Sequence, residues 1–286
     1  MLLLVVAVAR AEFPEDISIR AMDDYGGVST VTLNTADFVA EGYRTMSKEL
    51  GVAIANKPFA PGETLGIDGF HVGIANTFAF IRTGSTDGTN PSGWDLADPD
   101  EDPQGFLYIP QIQVRKGLPL SFELGANLGW VGGSRTGALG GYVRWAPVEG
   151  WRQAPDVAVQ LGYAAYVGND ELEVGTFDMS ATVGYSLPFG VTQGVNQAVF
   201  SPYVHVGVQQ IHSAVRADLT GTELEGRLAE YWGVQNPKAG EFDASFAPLT
   251  VGGGFRVLNG NFAATFSGTY SLGVIATANV GFAFVY

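Results

Sequence analysis

Residues 276–286 read ATANVGFAFVY, and this stretch decides the fold class. Its apolar side chains occupy every second position, at Ala278, Val280, Phe282, Phe284 and Tyr286. Thr277, Asn279 and Gly281, which lie between them, are small or polar. Because successive side chains of a β-strand point to opposite faces, this spacing predicts a strand with one apolar face and one small, polar face.

The same alternation recurs through most of the chain from Leu65 onward. It predicts strands at residues 65–81, 105–116, 118–131, 137–147, 155–168, 174–188, 198–215, 245–259, 261–273 and 275–286. Strands of soluble proteins typically have about five or six residues, whereas strands of membrane barrels have about ten. We therefore predict an all-β protein, an antiparallel up-and-down transmembrane β-barrel of about ten strands.

A soluble β-sandwich also has alternating strands, so the composition of the second face has to distinguish the two folds. That face holds mostly Gly, Ala, Ser and Thr, with few of the Lys and Glu residues that solvate a soluble sheet. Only 15% of the residues are charged, against roughly 25% in an average soluble domain. An apolar face toward lipid and a crowded interior of small residues account for both observations.

Composition also excludes several functional classes. The net charge of −14 argues against nucleic acid as a partner, because phosphate binding requires a surface rich in Lys and Arg. The longest uninterrupted apolar run, Leu2 to Ala9, is far shorter than the roughly 20 residues of a transmembrane helix. The chain has no Cys, hence no disulfide or thiol chemistry, and no motif predicts a cofactor.

The first 64 residues precede the predicted barrel, which we assign to residues 65–286. Residues 1–11 are predicted to be a signal peptide remnant. Leu2–Ala9 forms a short apolar core, and Ala9-Arg10-Ala11 has small residues at the positions that a signal peptidase reads. A buried first strand is the alternative for this apolar run.

Residues 12–64 are predicted to form a hairpin followed by a helix. Ile17–Met22 and Val28–Leu33 flank the turn-like sequence DDYGG, which indicates a hairpin. This hairpin would add two strands and give a barrel of twelve. Alternatively, the whole segment is a periplasmic cap or a plug inside the lumen.

The predicted helix begins at a cap formed by Asn34 or Thr35 and runs to about Leu50. Its apolar stripe consists of Val39, Tyr43, Met46 and Leu50. These positions fall on one face of a helix, and such a stripe packs against a neighbouring element.

The connections give the barrel an orientation, because bacterial barrels have short periplasmic turns and longer external loops. With a periplasmic C-terminus, the two longest loops, 82–104 and 216–244, both lie outside. Tight turns are predicted on the periplasmic side at Lys116-Gly117 and at Asn259-Gly260, a sequence typical of a type I′ turn. Aromatic residues gather where hydrocarbon meets water. We expect Phe80, Phe106, Trp130 and Phe177 at the external rim, and Trp145, Trp151, Phe284 and Tyr286 at the periplasmic rim.

The final strand resembles the C-terminal signal strand of Gram-negative outer-membrane β-barrel proteins. The residues that carry the resemblance are Val280, Phe282, Phe284 and Tyr286. It implies that the protein crosses the periplasm unfolded, is recognised by the barrel assembly machinery and is inserted into the outer membrane of a Gram-negative bacterium. Its partners would then be outer-membrane lipid, lipopolysaccharide and that machinery.

The polar side chains of the strands are predicted to line the lumen. They are His71, Arg115, Glu123, Tyr142, Arg144, Gln160, Asp178, His205, Gln209 and Arg256. Because buried charges need partners, Glu123 and Arg144 on the next strand are a predicted cross-strand pair. Side chains just fill a barrel of eight strands, so ten strands predict a closed or narrow lumen and twelve would favour a conduit.

One acidic loop partly matches a calcium-binding sequence. Asp98, Asp100 and Asp102 resemble the opening of a calcium loop, but Pro103 stands where that loop requires Gly. We interpret it as a solvated acidic loop that would suit divalent cations bridging lipopolysaccharide. No metal site is predicted.

One group of residues bears on catalysis. His212 is followed by Ser213 and, further along, by Asp218, and outer-membrane hydrolases place such groups at the barrel rim. No nucleophile motif accompanies them. We therefore predict that the protein is not an enzyme.

The leading functional hypothesis is a passive or gated conduit for small or apolar solutes, with the N-terminal segment as plug or periplasmic cap. It draws on a loose architectural similarity to fatty-acid and hydrocarbon transporter barrels, of which no motif matches here. The alternative is a closed barrel that acts as a structural or surface-interaction protein through loops 82–104 and 216–244. An outer-membrane hydrolase ranks third.

Overall fold

Ten long antiparallel strands form a closed ring in the computed structural model. In chain order the elements are α1 (Thr35–Ile54), β1 (Phe70–Ala79), α2 (Gly93–Ala97), β2 (Leu107–Leu118), a 3₁₀ turn (Pro119–Ser121), β3 (Phe122–Trp130), β4 (Gly137–Val148), β5 (Asp156–Val167), β6 (Leu172–Gly184), β7 (Leu187–Phe189), β8 (Ala198–Val215), β9 (Ala244–Phe246), β10 (Leu249–Asn259), β11 (Phe262–Ser271) and β12 (Ala276–Val285). The structure describes residues 17–19, 22, 35–84, 92–97, 105–150, 154–189, 198–216 and 244–286, with only the backbone for residues 35–40.

The ring follows chain order from β1 to β6, continues with β8, and closes through β10, β11 and β12. Two pairings complete it: β8 with β10, where His205 lies opposite Gly252, and β12 with β1, where Phe282 lies opposite Ile74. The short strands β7 and β9 each pair only with β8 and lie outside the ring. The prediction of an antiparallel barrel of about ten strands is confirmed.

The twelve-stranded alternative is wrong, because the ring is complete without the N-terminal hairpin. Of that predicted hairpin, Ile17–Ile19 and Met22 are described and none of them lies in a strand. Its second half, residues 28–33, falls outside the described residues, as does the predicted signal peptide remnant, residues 1–11.

Period-2 alternation determines which side chains face out of the ring. In β5, Val159, Leu161 and Tyr163 are between 38% and 55% exposed, whereas their neighbours Ala158 and Gln160 are almost completely buried. A continuous apolar exterior of this size is unfavourable in water and favourable in lipid. Because a closed ring also satisfies every strand's backbone hydrogen bonds, the exterior is that of a membrane-embedded barrel. Among the described residues, no helix has both the length and the apolar character required to cross a bilayer.

The ring has two dissimilar ends. We call the end from which segments 82–104 and 216–244 emerge the loop-bearing end, and the opposite end the turn end. The C-terminus lies at the turn end, where Tyr286 and Phe70 exchange backbone hydrogen bonds of 2.8 and 2.7 Å. The hydrogen-bonded positions of β12 make it an ordinary strand of the wall, and its recognition by an assembly machinery stays a prediction.

Both predicted tight turns need correction. Lys116 and Gly117 are not a turn, because β2 continues to Leu118 and the chain reverses at the 3₁₀ turn, where Pro119 has no N–H to extend the ladder. At the other turn Asn259 is still paired, with Phe262, so the two loop residues are Gly260 and Asn261. Only Gly260 has a positive φ, of 59°, which excludes the type I′ turn expected there.

The aromatic residues lie mostly where the sequence predicted. Phe80, Phe106 and Trp130 are exposed at the loop-bearing end, and Trp145 and Phe284 are exposed at the turn end. Phe177 was expected at the external rim but lies deeper in the wall, opposite Tyr163 of β5. Trp151 is outside the described residues.

Replacing Leu161 by Arg should destabilise the inserted barrel by about 2–4 kcal/mol, because the residue faces lipid near the middle of β5. Val167→Arg, at the end of the same strand, should cost no more than about 1 kcal/mol. Urea unfolding in phospholipid vesicles measures both. Equal losses at the two depths would contradict a membrane-embedded exterior.

Candidate functional site: the filled bore

The N-terminal segment runs through the inside of the ring from end to end. Near the loop-bearing end, a Cβ added to Gly42 would lie 2.6 Å from the side chain of Leu96 in α2. At the turn end, Glu63 pairs with Arg256 of β10, and Thr64 Oγ1 donates to Glu149 at 2.9 Å. Helix α1 therefore occupies the first part of the bore, and residues 55–64, which we call the strap, occupy the rest.

The helix is longer than predicted and is held by the inner face of the wall. It ends at Ile54 instead of about Leu50. Tyr43 and Ser47 both form hydrogen bonds with the hydroxyl of Ser213 on β8, at 2.7 and 3.0 Å. At Gly51 the helix touches β8 so closely that an added Cβ would lie 2.4 Å from Ile211.

Apolar contacts join α1 to the wall at the loop-bearing end. Tyr43, Met46 and Leu50 of the predicted stripe are at most 1% exposed, and they belong to one cluster with Trp94 and Ile211. The side chain of Val39, the remaining member of the stripe, falls outside the described residues.

Glu49 fixes the helix to the loop segment above it. Its carboxylate accepts a 2.8 Å hydrogen bond from Trp94 Nε1 and a 3.1 Å hydrogen bond from the backbone N–H of Arg82. Burial raises the pKa of Glu49, and these two hydrogen bonds and the positive charge of Arg82 oppose that rise. Three separate parts of the chain thus meet at this carboxylate, outside the membrane-spanning strands.

Asn56 connects the strap to several strands of the wall. Its Nδ2 donates to Asp178 Oδ2 at 3.2 Å and to the backbone oxygen of Gly141 at 3.3 Å. Its Oδ1 accepts from Asn127 at 2.7 Å, and its backbone oxygen accepts from Gln160 at 3.1 Å. A carboxamide both donates and accepts, so this one residue can join four adjacent strands of the wall.

The predicted ion pair between Glu123 and Arg144 is not formed. The two residues lie opposite each other in register, but Glu123 accepts a bidentate pair of hydrogen bonds, at 2.8 and 2.9 Å, from Arg115 on β2. Arg115 lies opposite Gly125 in register, and the ring of Tyr142 occupies the space beside this glycine. Arg144 donates instead to the backbone oxygens of Ala60, at 3.2 Å, and Pro61 in the strap.

All ten side chains predicted to line the lumen occupy inward positions of the wall. Those of His71, Arg115, Glu123, Arg144, Gln160, Asp178, His205, Gln209 and Arg256 are buried, and that of Tyr142 is partly buried. Six of them contact each other or the strap as described above. His205 and Gln209 bond instead to Thr269 and Ser271 of β11, both at 3.2 Å.

The bore has one charged side and one neutral side. The charged side runs from β2 to β6 and also includes Arg256. On β11 and β12, both fully described, no inward residue is charged, and hydroxyl and amide groups predominate. A hydrogen-bonded row crosses this neutral side from Gln111 to Thr77, Asn279 and Ser267, with distances of 2.7–3.3 Å.

Little free space remains beside the first half of the strap. A cavity between the strap and the neutral side has a volume of about 20 Å³ and is lined by Lys57, Phe59, Gln111, Gln113 and Asn279, among others. That is room for about one water molecule. The bore is therefore closed here, by residues of its own chain.

Sequence analysis included the strap in a plug or periplasmic cap but predicted neither its path nor its contacts. Asn56, Glu63 and Thr64 carry no hydrophobic periodicity, and the proline-containing stretch between them gives no helix or strand pattern. Their polar groups were the only indication, and such groups equally suit an exposed loop.

The group considered for catalysis is not assembled. His212 and Ser213 are neighbours in β8, so their side chains point to opposite faces of the wall. Ser213 is buried and bonds to α1, whereas His212 is exposed on the outside. Asp218 is outside the described residues, as are Asp98, Asp100 and Asp102 of the acidic loop. Across the residues that are described, no group of three or more His, Asp or Glu could hold a metal ion.

Comparison with known proteins gives a fold likeness only. No model of a protein family matches the chain, and no curated protein matches it. The N-terminal β-barrel domain of Pseudomonas aeruginosa OprF is 13% identical over 77% of this chain and 99% of that chain, with a TM-score of 0.30. The KdgM porin in complex with disordered oligogalacturonate is 5% identical over 75% and 98%, with a TM-score of 0.33. LpxR from Salmonella typhimurium is 9% identical over 76% and 99%, with a TM-score of 0.34.

Likeness at this level supports no conclusion about activity. The location follows from the closed ring and its apolar exterior, since single-chain barrels with an even number of strands are the architecture of the bacterial outer membrane. The protein is an outer-membrane β-barrel of a Gram-negative bacterium.

Replacing Glu123 by Leu should destabilise the barrel by about 3–5 kcal/mol, because it leaves the buried guanidinium of Arg115 without its carboxylate. The double variant R115M/E123L removes both charges and should recover most of that loss. Urea unfolding in vesicles measures the difference. A single variant as stable as the double variant would show that the two charges are not coupled.

Proposed function

We propose that the protein is a gated conduit for small polar solutes, held shut by α1 and the strap. The observation that carries this proposal is the chemistry of the contact between strap and wall. Asn56, Ala60, Pro61 and Glu63 meet the wall through hydrogen bonds and one ion pair.

Because these contacts are polar, the strap can be displaced from the wall at a modest cost in free energy. A hydrogen bond contributes only about 0.5–1.5 kcal/mol net, because water replaces the partner when the contact opens. A barrel of eight strands is just filled by its own side chains, so a ring of ten has room for solute once the strap leaves. The charged and amide-bearing wall would then face water, which favours polar solutes over apolar ones.

The apolar cluster around Met46 and Leu50 holds α1 more firmly than hydrogen bonds hold the strap. Because α1 fills the first part of the bore, movement of the strap alone would leave the passage blocked. The gate is therefore expected to open by withdrawal of the whole segment, and the contact of Ser47 with Ser213 allows this motion to be blocked.

Cysteine at positions 47 and 213 should lock the gate. The two hydroxyl oxygens are 3.0 Å apart, which suits a disulfide between S47C and S213C, and the chain has no other Cys. We expect the oxidised S47C/S213C protein to pass less ion current in planar bilayers than the wild type, and dithiothreitol to restore the current.

The single variant S47C is the matched control, since it cannot form the intramolecular bond. Its current should not respond to oxidation. The proposal fails if wild type, reduced and oxidised proteins are all silent, and equally if oxidation leaves the current of the double variant unchanged while gel analysis shows the disulfide.

A second candidate function is a closed barrel whose loop-bearing end is an interaction surface. One observation favours it: Ile17 and Ser18, which precede α1 in the chain, lie at that end. Ser18 N–H donates to Ala97 of α2 at 3.3 Å, and Asn169 in the β5–β6 turn donates to the backbone oxygen of Ile17 at 2.8 Å.

An epitope inserted directly ahead of Ile17 should bind antibody on intact cells, because Ile17 is held at the loop-bearing end. The same epitope between Gly260 and Asn261, at the turn end, should become accessible only after the outer membrane is permeabilised. Flow cytometry reads both. The reverse pattern would place the N-terminal segment in the periplasm and contradict this orientation.

A further inference from the structure

Arg144 is a buried cation that has no ion pair of its own. It is 1% exposed, and both carboxylate oxygens of Glu123, the acid opposite it, accept hydrogen bonds from Arg115. Among the described residues no other carboxylate pairs with Arg144, and its Nε has no hydrogen-bond partner. The strap offers it only backbone oxygens, which carry partial charges. Two guanidinium groups thus share the charge of one carboxylate, which leaves an excess positive charge in the interior.

Arg256 is a second buried cation of the wall. It is 6% exposed on β10, and its Nε also lacks a partner. Its ion pair is with Glu63, which belongs to the strap and not to the wall. Were the strap to leave, both arginines would face the bore without the acceptors that now hold them.

The two guanidinium groups approach one short stretch of chain. Pro61, bonded to Arg144, and Glu63, bonded to Arg256, are two residues apart, which spans at most about 7 Å of extended chain. β4 and β10 are not neighbours in the ring, so the two arginines reach this stretch from different parts of the wall. Together they clamp a carboxylate and adjacent carbonyl oxygens.

We propose that Arg144 and Arg256 form a binding site for a small oxyanion, the carboxylate, phosphate or sulfate group of a solute, and that the strap occupies this site in the closed state. The proposal rests on the gated conduit and names the class of solute that the conduit would take. Glu63 acts as an internal substitute for the anion.

The chemistry favours an oxyanion over other ligands. A guanidinium is planar and offers a fork of N–H groups that matches carboxylate and phosphate oxygens. The rest of the molecule would not attract such a solute, because the net charge is −14 and only 15 residues are Lys or Arg. Attraction of an oxyanion would therefore come from the arginines of the bore, in spite of the negative charge of the whole protein.

Ion selectivity of the open conduit tests the proposal. Under a potassium chloride gradient in planar bilayers, reduced S47C/S213C protein should favour chloride over potassium. Arg144→Gln in this background should lower the chloride-to-potassium permeability ratio by roughly threefold or more, because it removes a charge from a bore of low dielectric constant. Arg135→Gln, which removes an exposed arginine outside the bore, should leave the ratio unchanged.

Inorganic phosphate, added at constant ionic strength, should reduce the chloride current by occupying the site. Glu63→Gln removes the internal substitute, so phosphate should block this variant at lower concentrations than it blocks the parent. If Arg144→Gln fails to give a folded barrel on a heat-modifiability gel, Arg256→Gln provides the same measurement, with the same expected direction.

The outcomes separate this proposal from the conduit itself. A redox-dependent current without chloride preference, or one that Arg144→Gln and Arg256→Gln leave equally anion-selective, overturns the oxyanion site and keeps the conduit. Absence of any redox-dependent current overturns the conduit, and the site with it.

Discussion

In a lipid environment, every backbone N–H and C=O of the wall must find a partner within the protein, and this requirement shapes the whole molecule. A sheet can meet it only by closing on itself, which it does through the pairings of β8 with β10 and of β12 with β1. Closure then assigns every second side chain to lipid and the others to an enclosed bore. The polar and charged groups of the chain collect there, where they must be satisfied by each other.

The N-terminal segment is the means by which the bore satisfies many of them. Asp178, Gln160 and Arg144 all obtain hydrogen-bond partners from the strap. The apolar cluster at the loop-bearing end and the polar contacts further down have different consequences: the first anchors α1, and the second can be exchanged for water. The interior therefore has an apolar core that anchors α1 at one end, and polar contacts that water can replace along the strap.

Sequence reasoning found what depends on periodicity and missed what depends on particular neighbours. Alternation located the wall, its inward residues and its ten strands, because one-residue shifts would turn apolar side chains into the bore. It could not show that Arg115, and not Arg144, bonds to both carboxylate oxygens of Glu123. Nor could it show that the first turn lies at Pro119–Ser121 instead of Lys116-Gly117, or which contacts residues 55–64 make inside the barrel. These features depend on contacts between residues that are distant in the chain.

The course of the strap also constrains the order in which the molecule can be built. The strap leads directly into β1, and β1 completes the ring by pairing with β12, the last strand of the chain. A helix with its side chains is about 10–12 Å wide, so α1 cannot pass between the hydrogen-bonded strands of the wall. Entry of α1 from the side must therefore precede the pairing of β1 with β12, and any later entry or withdrawal can use only an open end of the ring.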